Sequence, residues 1–437
     1  MIEMVKSLIL DFQEGKLETG VPRRLNDTPV DGKASVFVGA RRSGKSTLLM
    51  QRIRHLLEEG TPRENIFFLN FFDDRLHPLR KGGLDVVHDA YYSLYPGKKG
   101  AEKVHFFFDE IQETAGWEPF VERLLRTENC TVTLTGSSAR LLSREIATQM
   151  RGRALSWEVF PFSFREYLDF RGIAADIPMS TKRKMEVSNA FDGFWETGGF
   201  PEVVSVEPSL RVRIHQEYFK AMLMRDVVDR WDFSHPRAVE DLGHWAADNA
   251  ASSYTVNRLT GLLKSLGHKV PKSSVSEILE WFEDAYFFYT VRLYDPSFSR
   301  SNANPKKIYA VDHALLKSVS SGILGNGGHL LENLVFTALR RTGETPFYYR
   351  TKANREVDFV LPGKGGIPLL VQVCESMAAA LTRERELAAL AEAMKETGAG
   401  TGIVVTRNEE AEIEVGKGRV RVLPAWMFLL EMDQDGP

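Results

Sequence analysis

Between residues 31 and 172 the sequence predicts an α/β fold, a parallel sheet with helices on both faces that carries a phosphate-binding loop. Two observations support that expectation. The stretch Gly39-Ala-Arg-Arg-Ser-Gly-Lys-Ser46 matches GxxxxGK[ST] in full. It lies between an apolar run, Ser35–Val38, and a segment with apolar residues at helical spacing, Leu48, Leu49, Ile53, Leu56 and Leu57. Further on, Val104-His-Phe-Phe-Phe-Asp109-Glu110 reads as a buried strand ending in two acids, the partner that such a loop requires.

Composition narrows the field. A chain of 437 residues, 43% hydrophobic and 26% charged, is globular protein with room for several domains. A net charge of −3 excludes a globally basic nucleic-acid binder, so any such surface must be local. Cys130 and Cys374 are the only cysteines, which excludes a disulfide framework and a cysteine-only zinc site and suits a reducing compartment. The segment Met1–Leu10 has a glutamate where a leader peptide needs positive charge, and no apolar run approaches a membrane span. The expected location is the cytoplasm, with no membrane partner.

Taken in order, residues 1–30 form a short lead-in helix and a polar turn, Asn26–Gly32, without a legible role. In the loop that follows, Gly39 and Gly44 permit backbone conformations closed to bulkier residues. The amides across Gly39, Ala40, Arg41, Arg42, Ser43, Gly44, Lys45, Ser46 and Thr47, at the positive end of a helix dipole, are placed to wrap the phosphates of ATP. Lys45 is expected on the β- and γ-phosphates and Ser46 on Mg²⁺. A second strand is expected at Ile66–Asn70 and a helix at about 84–94. The strand ending in Asp109 then delivers that carboxylate to the Mg²⁺ shell, while Glu110 orients or deprotonates the attacking water. After a helix at 117–126 comes a strand, Thr131-Val-Thr-Leu-Thr-Gly-Ser-Ser138, ending in small hydroxyl residues. In ATPases with an extra strand between the two motif strands, this end senses the γ-phosphate. Ser137 and Ser138 are the candidates, Ser138 serving equally as a helix N-cap. Arg151 and Arg153 precede a strand at 155–159. In a dimer or ring either one can offer a guanidinium to a neighbour's γ-phosphate, Arg153 before Arg151, and a surface ion pair is the alternative for both.

At this point the chain resembles a known family. The set Gly-Ala-Arg-Arg-Ser-Gly-Lys-Ser, Phe108-Asp-Glu-Ile-Gln112 with Trp117, Thr135-Gly-Ser-Ser, Gly152-Arg153, Phe160-Pro-Phe-Ser-Phe-Arg-Glu-Tyr167 and Gly198-Gly-Phe-Pro-Glu202 is similar to prokaryotic AAA-type ATPases whose C-terminal half is a domain of unknown function. The resemblance covers essentially the whole chain. It implies a P-loop NTPase fold of AAA type, ATP binding and hydrolysis, Mg²⁺ as cofactor, and a DNA-related or regulatory role.

For residues 173–245 a helical connector is expected. From 246 to 300, helices at 256–264 and 272–282 followed by an aromatic strand at 286–293 have the layout of a winged helix-turn-helix. As a DNA reader it would use Lys272, Ser273, Ser274 and Ser276, with Lys264, His268 and Lys269 on phosphates. Glu277, Glu280 and Glu283 oppose a phosphate backbone, and the alternative is a protein-contact module. Residues 301–437 resemble a restriction-endonuclease-type core. Glu332 and Asp358 match its acids, whereas Gln372 and Cys374 stand where the glutamate and lysine belong. An amide is a weak Mg²⁺ ligand and a thiol cannot replace an ammonium, so the fold is expected without the cutting reaction. Arg350, Lys352, Arg355, Arg383 and Arg385 offer local positive charge, and Glu384 and Glu386 make a solvated charged helix the plainer reading of the last two.

Overall fold

Five parallel strands form the first sheet: β1 (Ala34–Val38), β2 (Ile66–Asn70), β3 (Val104–Asp109), β4 (Cys130–Gly136) and β5 (Ala154–Glu158), in the order β2-β3-β4-β1-β5. The structure is a computed structural model and describes residues 1–25, 27–137, 150, 152–176, 178–303, 305–320, 327–363, 366–416 and 418–434. By contact the chain divides into two compact units, Met1–Phe160 with Asp284–Tyr286, and Pro161–Glu283 with Phe287–Pro437.

In the first unit β4 lies between β1 and β3, so the extra strand foreseen from the Thr135-Gly-Ser segment is present. The connection from β1 to β2 runs across the sheet in one direction and those from β2 to β3 to β4 return in the other. Right-handed crossovers therefore place the helix Lys45–Glu58 on one face and the helices Asp85–Leu94 and Trp117–Thr127 on the opposite one. Burial on both faces explains the near-continuous apolar runs: Phe67, Phe106 and Phe108 are buried, with ring centroids 5.3–5.9 Å apart. The N-terminal helix Ile2–Glu14 is part of this unit and buries Val5, Leu8 and Ile9.

The second unit opens with helices Phe164–Phe170, Thr181–Thr197, Pro201–Ser205, Pro208–Ala221 and Pro236–Asp248, with a π-helical stretch at Met222–Asp229. Ser163 and Glu166 close a capping box at the first of these. The Gly198-Gly199 pair is explained by packing. A Cβ on Gly199 would meet the Phe162 carbonyl oxygen at 2.3 Å, and the Gly199 N–H donates to Asp312 Oδ2 at 2.8 Å. Helices Val256–Ser265 and Lys272–Asp284 adjoin an antiparallel sheet of β6 (Ser253–Tyr254), β7 (Phe288–Val291) and β8 (Lys306–Ala310), in the order β6-β8-β7. A six-stranded mixed sheet follows the helix Gly327–Arg341: β9 (Phe347–Arg350), β10 (Glu356–Leu361), β11 (Leu369–Val373), β12 (Thr401–Thr406), β13 (Ala411–Val415) and β14 (Gly418–Pro424), in the order β13-β14-β12-β11-β10-β9. Among the described residues no helix is long and apolar enough to cross a membrane.

Candidate nucleotide site

Because the strands are parallel and in register, Val38 opposite Gly136 and Asn70 opposite Asp109, the residues that follow β1, β3 and β4 emerge at one edge of the sheet. Here the sequence-expected residues meet. Gly39 has φ 148°, and a Cβ there would lie 2.2 Å from the Val159 carbonyl oxygen, so only glycine lets the loop pass so close to the chain after β5. Gly44 is left-handed at φ 99° and starts the helix Lys45–Glu58, whose first amides have no partner within the helix.

Lys45 is buried. Its Nζ donates to the carbonyls of Gly39 at 3.1 Å and Ala40 at 2.9 Å and stands 3.9 Å from Glu110 Oε1. Asp109 is 1% exposed and accepts a hydrogen bond from the Thr135 hydroxyl, with the Ser46 hydroxyl near enough to favour its charged form. Burial pushes the Asp109 carboxyl above its ordinary value, against the pull of those two hydroxyls and of Lys45. Glu110 has φ 53°, a strained backbone for a non-glycine residue, and this turns its carboxylate back over the sheet edge. That carboxylate accepts from Gln112 Nε2 and from the Ser137 N–H at 3.2 Å.

Two contributions were not foreseen from the sequence. Thr135 joins the two acids, donating to Asp109 while accepting the Glu110 N–H at 3.0 Å. Arg23 and Gln51 clip the N-terminal segment to the loop. Arg23 donates to the carbonyls of Ser43 and Phe160, each at 2.6 Å, and Gln51 Nε2 donates to the carbonyls of Thr19 and Val21. Ser137 is buried, and its backbone N–H is what reaches Glu110. Ser138 and Arg151 lie outside the described residues. Arg153 stands at the amino end of β5, the edge opposite the loop, with its guanidinium 3.8 Å from Glu122.

A nucleotide suits this lining. Ser43 Oγ is fully buried and has no hydrogen-bond partner among the described residues. Ser46 and Asp109, in contact, are the oxygen donors that would hold Mg²⁺. The comparisons with known proteins agree in outline. Residues 31–168 match the family model described as an AAA domain, residues 188–325 a domain of unknown function (DUF8612), and residues 327–428 a domain of unknown function (DUF4143). Uncharacterized protein MJ1544 of Methanocaldococcus jannaschii is 30% identical over 440 residues, covering 98% of this chain and 95% of the relative. The chain belongs to the family of AAA-domain proteins with a C-terminal DUF4143 domain. An uncharacterized protein of Haemophilus influenzae is likewise 30% identical, over 74% of this AAA-domain protein and 78% of the relative. Among solved structures, the Aeropyrum pernix ORC1 protein in complex with DNA is 13% identical with a TM-score of 0.32, over 73% of this chain and 90% of that one. C. elegans PCH-2 is 16% identical with a TM-score of 0.29, over 48% and 60%.

In the second unit of this AAA-domain protein the expected nucleic-acid residues divide. Lys264, Lys269, Lys272 and Ser273 are exposed, and Ser274 and Ser276 are half-buried. His268 is not available to phosphate, because its Nε2 lies 2.6 Å from Asp241 Oδ2. Glu283 turns inward and accepts the Thr290 N–H at 2.6 Å, whereas Glu277 and Glu280 are exposed. In the mixed-sheet region Arg350 pairs with Glu356 at 3.1 Å, Arg355 with Glu392 at 3.6 Å and Arg385 with Glu386; Lys352 and Arg383 are exposed. Glu386 corrects the expectation of a solvated residue. It is 3% exposed because it accepts Gln372 Nε2 at 2.6 Å, a bond that needs an amide at 372. Cys374 is buried in the apolar core beside β11, and burial pushes its thiol up to about 12.

Proposed function

We propose that this AAA-domain protein binds Mg-ATP in the loop Gly39–Thr47 and hydrolyses it. The observation that carries the reading is the convergence of Lys45, Ser46, Asp109 and Glu110 at one edge of the parallel sheet, with Lys45 Nζ 3.9 Å from Glu110. When bound, Mg²⁺ neutralises charge on the phosphates and on the leaving group. The chain's own residues do the rest. Lys45 exchanges its carbonyl partners for the β- and γ-phosphates. Ser46 and Asp109 hold the metal, with Thr135 fixing the Asp109 carboxylate. Glu110 takes the proton of the attacking water once its carboxylate leaves Gln112 and the Ser137 amide, so Ser137 reports phosphate occupancy to Glu110 through its N–H. Arg153, remote from its own loop, acts only on a second copy of the chain, in a homo-oligomer.

A second reading, a nucleotide-gated switch with little turnover, is favoured by the way Glu110 is engaged by Gln112 and Ser137. Glu110→Gln separates the two. Hydrolysis predicts unchanged ATP affinity and turnover lower by about 10²- to 10⁴-fold; equal turnover in the variant leaves only the switch.

The order helix, β6, helix, helix, β7, β8, with a short helix Phe298–Ala303 inserted between the last two strands, supports a winged helix-turn-helix, and the acids around β10 support a nuclease-type core without cutting chemistry. Glu277 and Glu280 share the exposed face of their helix with Ser273, so a protein partner suits that face better than a phosphate backbone. Anisotropy with duplex DNA across a salt series tests this. Weak binding without a steep salt slope is expected, and a steep slope that Lys272→Ala reduces would restore the DNA reading.

A further inference from the structure

Outside the nucleotide site, a buried charged cluster of the second unit surrounds Lys307. This residue lies on β8 and is 3% exposed. Its Nζ is 2.9 Å from Glu332 Oε1 on the helix Gly327–Arg341, 2.9 Å from Glu356 Oε1 and 3.1 Å from Asp358 Oδ1, both on β10. The ammonium donates hydrogen bonds to Glu332 and Asp358 and forms an ion pair with Glu356. The remaining acceptor capacity is also addressed. Tyr309, two residues along β8, donates its hydroxyl to Glu332 at 2.6 Å, and the Val373 N–H donates to Asp358 Oδ2 at 3.0 Å. Gln372 borders the cluster, accepting the Asp358 N–H at 3.2 Å on its Oε1 while its amide nitrogen donates to Glu386 at 2.6 Å.

We propose that Glu332, Glu356 and Asp358 form a divalent-cation pocket whose cation is supplied by the chain itself, the Lys307 ammonium standing where the metal ion would be. Carboxylate oxygens are the ligand type of a hard dication, but here they surround the ammonium, and among the described residues no group of three or more acidic, histidine or cysteine side chains is arranged to hold a metal ion. Two features explain how a single charge suffices. Arg350 neutralises Glu356 from the outer side at 3.1 Å, and the Tyr309 hydroxyl donates to Glu332 at 2.6 Å and so takes up part of its charge. The consequence for function is specific. The native protein takes up no divalent ion at these acids, and the ammonium locks β8 to β10 in place of the metal.

The test uses the full chain, free of nucleotide, with Mn²⁺ alone as the probe. Electron paramagnetic resonance and thermal denaturation are compared for native protein, Lys307→Ala, Lys307→Met and the double variant Lys307→Ala with Asp358→Asn. The expected result is one Mn²⁺ bound per chain in Lys307→Ala, with a Tm raised by several degrees on adding Mn²⁺, and loss of both in the double variant. Native protein should show no Mn²⁺ uptake that Asp358→Asn removes and no Mn²⁺-dependent nicking of supercoiled DNA. If Lys307→Ala folds only when Mn²⁺ is present, the proposal is supported directly. Folded Lys307 variants that take up no Mn²⁺, variants that Mn²⁺ fails to restore, or native protein with an Asp358-dependent Mn²⁺ site would each overturn it.

Discussion

Thr135→Val is the most searching perturbation of the nucleotide site, because it removes one hydroxyl and keeps the shape. That hydroxyl serves both acids at once, donating to the buried Asp109 carboxylate and accepting the Glu110 N–H at 3.0 Å. A hydrogen bond to a charged group contributes about 1.5–3 kcal/mol, and a buried N–H left without an acceptor costs about 1–3 kcal/mol. The two together give a destabilisation of about 2.5–6 kcal/mol, read as a lower midpoint of thermal or urea unfolding. The catalytic effect follows from the same contact. Without Thr135, Asp109 loses the donor that opposes the upward push of burial, so its carboxyl titrates higher still and holds Mg²⁺ less well. Kinetics of Mg-ATP hydrolysis should then show kcat/KM lower by about 10- to 100-fold, with the acid limb of the pH profile moved to higher pH. Thr135→Ser, which keeps the hydroxyl, should restore most of both. Native stability together with native turnover in Thr135→Val would refute the assignment of Thr135 as the link between the two acids.

Gln372→Glu places a carboxylate against buried Glu386, where an amide now donates at 2.6 Å. A loss of about 3–5 kcal/mol is expected, partly recovered near pH 5 as one acid protonates, and differential scanning calorimetry at pH 5 and pH 8 checks it. Glu332 carries a folded-state pKa raised from 4.5 to about 7. The folded chain therefore holds more protons than the unfolded chain between those values, and stability contributed at low pH is lost as pH rises through that window. Glu332→Gln should flatten this part of the stability profile, and an unchanged slope would count against a buried, proton-sharing Glu332.

Most of the first unit was legible because its signals are local. The loop Gly39–Ser46, the acids after β3 and the apolar runs of β1 to β4 each declare themselves within a few residues, and parallel pairing then brings them to one edge. Thr135 was missed for a different reason. Hydroxyl residues crowd the end of β4, and only the register shows that the one inside the strand faces Asp109, while Ser137 contributes its backbone. Lys307 was invisible to pattern reading, since β8 is short and begins with two lysines, a composition that suggests solvent. Its burial comes from antiparallel pairing with β6 and β7 and from acids brought in from 332, 356 and 358. Glu386 misled similarly. In Arg383-Glu-Arg-Glu386 the charges alternate as on an exposed helix, but helical geometry turns the fourth residue toward the Gln372 amide. The N-terminal helix, without a legible role in the sequence, buries Val5, Leu8 and Ile9 in the first unit.

The claim on which the account rests is that the loop Gly39–Thr47 grips a triphosphate. Isothermal titration of the native chain and of Lys45→Ala with ATP, in the presence and absence of Mg²⁺, tests it directly. The expected result is saturable one-site uptake of Mg-ATP by the native chain, weakened by at least about tenfold in Lys45→Ala, whose lost ammonium contact to phosphate is of the charge-assisted kind. No saturable heat with the native chain, or equal affinity in both proteins, would contradict it.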